Sequence, residues 1–290
     1  WSLYMLGRAD EALAAAEEAL AICKQTHSSR GMISNLNLLG EVYSHLLEQY
    51  ETAVHYLNEA LVIARKLANV RAEAALLSNL GEIVERQGDF DKAFQLFQEA
   101  MAISTETGNK DKEIVYCANL GRVQVLLGRY DQAVTCLVEL IDVLPPESHL
   151  LAEVYLALAE AYLGQGQLEL AAAVGQQALA QAKANKKQVE IGWAWVLLGR
   201  LAARQDTSRP PNQSDKTVYD APACFQAGLT IFTQMNLKRE RALTLWHWAQ
   251  YELQQGDLES GRLRWQEAKD IFTYLDLPLL AARMGSRPSW

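Results

Sequence analysis

Helix breakers are scarce in this chain: 17 glycines and 7 prolines stand among 290 residues. That scarcity excludes a collagen-like or Gly/Pro-rich low-complexity architecture. No run approaches the ~18 consecutive apolar residues that a membrane-spanning helix needs, so no membrane partner is expected. Only four cysteines occur, at 23, 117, 136 and 224, and none belongs to a CxxC. Such usage fits free thiols in a reducing, cytoplasmic setting, where a buried Cys is a small apolar filler. Basic residues are outnumbered, 27 against 35, which leaves a net charge of −8. An acidic chain without a dense Lys/Arg patch argues against a nucleic-acid partner. Catalytic signatures are missing too. There is no HExxH, no GxSxG and no Walker loop, and His27, His45, His55, His149 and His247 show no metal-ligand spacing. Without a nucleophile, base or cofactor constellation, neither a cofactor nor an enzymatic step is expected. The chain opens Trp1-Ser2-Leu3-Tyr4, without a starting Met or a signal-peptide pattern. It is expected to be a piece of something longer.

What the sequence has in quantity is self-similarity. Asn79-Leu80-Gly81 followed by Gly88-Asp89-Phe90-Asp91-Lys92-Ala93 aligns without gaps to Asn119-Leu120-Gly121 followed by Gly128-Arg129-Tyr130-Asp131-Gln132-Ala133. Leu158-Ala159 with Gly166-Gln167-Leu168-Glu169-Leu170-Ala171 follows the same frame. Leu39-Gly40 with Tyr50-Glu51-Thr52-Ala53 needs one extra residue. The small residue that ends each phrase falls at 12, 53, 93, 133, 171 and 261, and the long last interval leaves room for one enlarged repeat around Leu198-Gly199 and Cys224-Phe225.

Each unit reads as two helices. Over 71–107, Ala72, Ala75, Leu76, Leu80 and Ile83 recur at helical spacing. Gly88 interrupts the pattern, and Phe90, Ala93, Phe94, Phe97, Ala100, Met101 and Ile103 resume it. Asp89 or Asp91 is placed to cap the second helix. Small residues at 81, 93 and 100 allow close approach of the two helices; a larger side chain there would overpack the contact by about 1–3 kcal/mol.

These phrases resemble the tetratricopeptide repeat (TPR) family: Leu-Gly/Ala in the first helix, Gly with an aromatic or Leu at the turn, and Ala, an apolar residue and Ala/Gly in the second helix. The period is near 40, as in the long-period TPRs of adaptor proteins and of bacterial STAND-type regulators. The resemblance implies an all-α fold, a right-handed α-solenoid of stacked antiparallel helix pairs. It implies one array over 1–277, about six and a half repeats. A stump of a first helix lies at 1–6, a polar insertion at 204–220 and a loose tail at 278–290. The insertion carries Pro210-Pro211 and little to bury, so it is expected to be mobile.

The resemblance also implies that first helices line a concave, ligand-taking side. Counting from the Gly of Asn-Leu-Gly places Asn37, Glu41 and His45, then Asn79, Glu82 and Arg86, then Asn119 and Arg122 on that side, with Arg200, Trp193 and Trp246 further along. In many TPRs an Asn at the position of Asn79 and Asn119 pairs with the backbone of a bound extended peptide; an amide offers both donor and acceptor. The rival role is a local helix-to-helix hydrogen bond. Ser78 and Ala118 stand where the lysine of a carboxylate clamp would be expected, so a chaperone C-terminus is not the expected ligand. Arg86, Arg122, Arg200 and Arg204 can meet carboxylate or phosphate, or pair with Glu82, Glu85 and Glu160 inside the array. Trp193 and Trp246 can form an aromatic wall, while Trp195, Trp248 and Trp265 fall on packing positions. Residues 1–150 hold 12 basic and 21 acidic groups, so this half can favour a basic segment.

The reading is a non-catalytic protein- or peptide-binding TPR module, probed through its concave groove and belonging to a larger signalling or regulatory protein. The alternative is the C-terminal ligand-sensing or autoinhibitory part of a STAND-type ATPase or transcription regulator. A third is a self-association scaffold; nothing in the sequence states the oligomeric order.

Overall fold

The structure, a computed structural model, describes residues 8–204 and 219–285. The first-helix stump expected at 1–6, nearly all of the insertion expected at 204–220 and the last residues of the tail lie outside the described residues. Among the described residues every regular element is a helix. In chain order these are α1 (Ala9–Gln25), α2 (Ser29–Glu41), α3 (Tyr50–Lys66), α4 (Val70–Gln87), α5 (Phe90–Glu106), α6 (Lys110–Leu126) and α7 (Tyr130–Val143). They continue with α8 (Leu151–Gly164), α9 (Leu168–Ala184), α10 (Gln188–Arg204), α11 (Ala221–Gln234), α12 (Lys238–Gln254), α13 (Leu258–Tyr274) and α14 (Pro278–Arg283). The all-α, TPR-like helix-pair architecture is what the phrase pattern calls for.

Local chemistry sets the boundaries. Asp89 accepts a hydrogen bond from Lys92 N at 3.2 Å and starts α5; Asn69, Asp220 and Asp257 cap α4, α11 and α13 in the same way. Gly88 ends α4 at φ 93°, a conformation that costs glycine nothing. Six helix ends use a residue with a Cβ instead, among them Ala68 at φ 49° and Lys186 at φ 55°. Ala68→Gly should therefore stabilise the protein by about 0.5–1 kcal/mol, the relief of left-handed strain less the entropy glycine returns to the unfolded chain. A urea titration in which Ala68→Gly lowers the midpoint would contradict this.

The second repeat carries one residue more than its neighbours between the small residue of its first helix and the aromatic that opens its second. The structure absorbs that residue in a π-helical stretch, Val42–Leu46, which prolongs α2. Ser44 sits on this stretch fully buried.

Contacts divide the chain into two units, with the boundary between Val123 and Gln124 inside α6. In unit 1, α1 packs on α2, α2 on α3, α3 on α4 and α4 on α5, and the first helices α2 and α4 also touch. In unit 2 the same succession runs from α7 to α14, and first helices α8, α10 and α12 touch in turn. Each hairpin closes on a small residue. At Gly81 an added Cβ would lie 2.7 Å from the Phe97 ring, and at Gly40 it would lie 2.7 Å from Leu57. Ala53, Ala93, Ala133 and Ala171, the phrase-ending alanines, are all fully buried.

One boundary differs from the sequence reading. The tail expected to be loose from 278 begins as α14, opened by Pro278 and packed on α13 through buried Leu280 and Met284. Proline suits the first turn of a helix, where its missing N–H is no loss, so it started an element here and did not end one.

Candidate functional site

On the first helices of unit 1 the polar side chains are joined across repeats. Asn37 and Glu41 stand one turn apart on α2, and Asn37 Nδ2 donates to Glu41 Oε1 at 2.8 Å. From α4, Asn79 Nδ2 donates to Asn37 Oδ1 at 2.8 Å and to Glu41 Oε1 at 3.3 Å. From α6, Asn119 Nδ2 donates to Ser78 Oγ at 3.3 Å and to Glu82 Oε1 at 3.4 Å. Arg122 pairs with Glu85 and gives a second N–H to Asn119 Oδ1 at 3.1 Å. The result is a ladder of two hydrogen-bonded rungs, Asn37–Glu41–Asn79 between α2 and α4 and Ser78–Glu82–Glu85–Asn119–Arg122 between α4 and α6. It exists because apolar residues pull successive first helices together and the polar positions beside them repeat in register. Within the ladder, partners on successive helices are separated in sequence by roughly one repeat.

The ladder changes the standing of several expected residues. Asn79 and Asn119 were expected to offer open amides to a ligand. Both amide groups instead donate inside the protein, and Asn119 is only 8% exposed. The close approach of adjacent first helices brings a hydrogen-bond acceptor to each amide before any ligand can. Asn79 Oδ1 accepts nothing from any described residue. Arg122 pairs with Glu85 and Asn119 inside the array. Glu41, Glu82, His45 and Arg86 are half-buried, and the last three have partners of their own. Ser78 and Glu85, both on the first helix α4, are ladder members as well. Polar partners one period apart in the sequence were the available signal.

Electrostatics give Glu41 an unusual character. Burial, the largest cause, and the neighbouring Glu82 carboxylate push it up to about 7; the Asn37 and Asn79 hydrogen bonds and Lys112 oppose the shift. A folded-state carboxyl that holds its proton more tightly than the unfolded one destabilises the fold as pH rises. The loss begins above the ordinary carboxylate value near 4.5 and is complete above about 7. Glu41→Gln keeps an acceptor for both asparagines and removes the charge. It should raise the thermal midpoint at pH 8 and leave it unchanged at pH 5. Equal effects at both pH values would refute this account. Tyr116, buried beside Glu82, is likewise raised, first by burial and then by that charge.

Unit 2 has a different first-helix face. Arg200 on α10 pairs with Glu160 on α8, and Arg204 Nη1 donates to the Leu163 carbonyl at 2.8 Å. On α12, Trp246 stacks on His247 with centroids 5.7 Å apart. Trp193 and Trp246 meet different rings. Trp193 packs its ring on Phe232 at 5.1 Å, because Gly192 beside it leaves room for that phenyl ring. Trp248 and Trp265 are buried, as their packing positions require, while Trp195 is half-buried under Lys183 and beside Tyr219.

Chemically, the face of unit 1 offers fixed carboxylates and amides, and that of unit 2 offers guanidinium groups, an imidazole and indole surface. Among the described residues no group of three or more His, Cys, Asp or Glu is placed to hold a metal ion. No described helix is long and apolar enough to cross a membrane.

A profile described as tetratricopeptide repeat matches residues 2–66 and 72–145, and a second of the same description matches 119–186. No curated protein matches significantly. Among solved structures, the apo form of RapI superposes with a TM-score of 0.74 at 13% identity, over 95% of this chain and 95% of that one. The Rap conjugation gene regulator of the plasmid pLS20, solved in complex with the Phr* peptide, gives a TM-score of 0.71 at 14% identity, over 97% of this chain and 73% of that one. BtubC from P. vanneervenii gives 0.51 at 17% identity, over 97% and 94%. At such identities these likenesses concern the fold.

Proposed function

Because the chain belongs to the tetratricopeptide repeat family, we propose that its first-helix face binds a segment of another protein, or of the polypeptide it comes from, without transforming it. The observation that carries this reading is the ladder of unit 1. Eight side chains from three successive first helices are held by these hydrogen bonds, and Asn37, Glu41, Asn79, Glu82 and Arg122 stay partly open to solvent. Groups fixed before binding lose little freedom when a ligand arrives. Asn79 Oδ1 is the acceptor for a ligand backbone N–H. Asn119 holds Glu82 and Arg122 in place from behind. Glu41 and Glu82 make the face anionic, so the segment is basic or carries a basic side chain at this point. The pLS20 regulator, with its Phr* peptide, supplies a precedent of the same fold. A peptide-controlled sensor within a larger regulatory protein is the same reading carried one step further, and cytoplasmic placement goes with it.

A displayed library of random dodecapeptides, panned on the whole chain, tests the proposal. The expected result is a converging family rich in Lys or Arg. Its affinity should fall about tenfold or more for Asn79→Ala combined with Glu82→Gln, with helicity by circular dichroism retained. Failure to converge, or equal affinity for the variant, would reject it.

A further inference from the structure

Unit 2 holds a cationic constellation that the peptide reading does not use. Arg200 and Arg204 stand one turn apart on α10, and both are tied on one flank to α8, through Glu160 and the Leu163 carbonyl. On the other flank α12 presents His247, with its Nδ1 3.4 Å from Gln250 Oε1 and its ring against Trp246. With Nδ1–H donating to Gln250, Nε2 carries the lone pair of a neutral ring. Arg204 is exposed, and no carboxylate of a described residue pairs with it. One carboxylate, Glu160, therefore faces two guanidinium groups. Of the helices packed on α12, α11 has no charged side chain; on α13, Arg264 and Glu267 pair with Glu252 and Arg241, Asp270 accepts from Gln266, Lys269 lies over the Trp265 ring, and Glu259 and Arg262 complete its charges.

We propose that Arg204, Arg200 and His247 form a receptor for the anionic oxygen group of a ligand, a carboxylate or a phosphate, on the first-helix face of unit 2. The proposal rests on the first helices being the binding face, and it names the chemistry that this part of the face takes. A guanidinium fork matches two oxygens of either group, and the indole of Trp246 beside His247 supplies apolar surface for what the oxygens are attached to. His247 answers to the same charges. Burial first, then Arg200 and Arg204, press its imidazole down to about 3 in the empty protein. An anion seated between the three groups offsets that repulsion, so the imidazole takes up a proton more readily when the receptor is filled. By linkage, the anion then binds more tightly as pH falls, and the factor in affinity equals the factor in proton affinity.

The test follows the His247 ring by NMR on histidine-labelled whole protein, with His247→Gln to assign the signal. Inorganic phosphate and acetate are titrated separately at constant ionic strength. The expected result is a saturable shift of the His247 ring signals near neutral pH, where both anions are ionised, and with phosphate a rise in the apparent pKa of His247. Arg204→Gln, an exposed change that leaves helicity intact, should weaken the response about tenfold and raise the His247 pKa in the empty protein. Saturation by phosphate alone assigns a phosphate ligand, and saturation by acetate as well assigns a receptor for carboxylates. No saturable shift with either anion, or a shift unaltered by Arg204→Gln, overturns the proposal. Library peptides that still bind a chain blind to both anions sink this receptor alone; loss of peptides with the anion response intact sinks the peptide reading alone.

Discussion

Phe97→Ala is expected to lower the stability of unit 1 by about 3–5 kcal/mol, the cost of removing a buried aromatic ring and leaving its cavity. Phe97 is fully buried on α5, with its ring edge against Gly81 of α4. The hairpin is built around that contact. The ring fills the space that the missing Cβ opens, and Ala93 and Ala100, one turn to either side, are also fully buried. A second variant separates this account from a general loss of core. Gly81→Ala alone puts a methyl 2.7 Å from Phe97 Cε1, which forces the ring or the helices to move and should cost about 1–3 kcal/mol. In the Phe97→Ala background the same methyl has room. The double variant should therefore be more stable than the two single losses added together. Urea unfolding followed by circular dichroism reads all three. Strict additivity would show that the Gly81–Phe97 contact does not organise the hairpin.

The next largest effect belongs to Arg122. Its partner Glu85 is 5% exposed and has one carboxylate oxygen buried without a partner already. Arg122→Met strands that charge and should cost about 2–3 kcal/mol, below the range for a fully buried pair because the arginine is itself partly open to water. The companion change Glu85→Met removes the stranded charge. Apolar residues of similar size often replace a buried pair at little cost, so the double variant should recover to within about 1 kcal/mol of the parent. The same experiment touches function. Arg122 also holds Asn119 Oδ1, and Asn119 holds Glu82, so the double variant should fold normally and still bind converging peptides more weakly. A double variant as unstable as Arg122→Met would mean that the pair supplies more than charge balance.

These two predictions touch different layers of legibility. The close approach at Gly81 is legible in the phrase pattern, because small residues recur at fixed places around a helical turn, while the structure shows that Phe97 is what fills the space. The Arg122–Glu85 pair was not chosen over its rivals. The spacing named Glu85 as an internal partner and a ligand anion as an equal alternative, and the approach of α6 to α4 is what brings Glu85 to Arg122. Asn119 is the sharper case. Its residue type and position suggest a ligand contact, and both remain as they were. What removed its amide from solvent was the neighbouring helix, which brought Ser78 and Glu82 to it.

The boundaries of Asp89 and Gly88, and the extra residue that became the π-helical stretch Val42–Leu46, were all decided by interactions within a few positions of chain. Capping, left-handed helix ends and helical periodicity are short-range effects, so the amino-acid order alone determines them. Which polar groups face a partner and which face each other was decided by stacking. That outcome depends on how closely one repeat approaches the next, and hydrogen bonds a full repeat apart form only when the apolar faces have already brought the helices together.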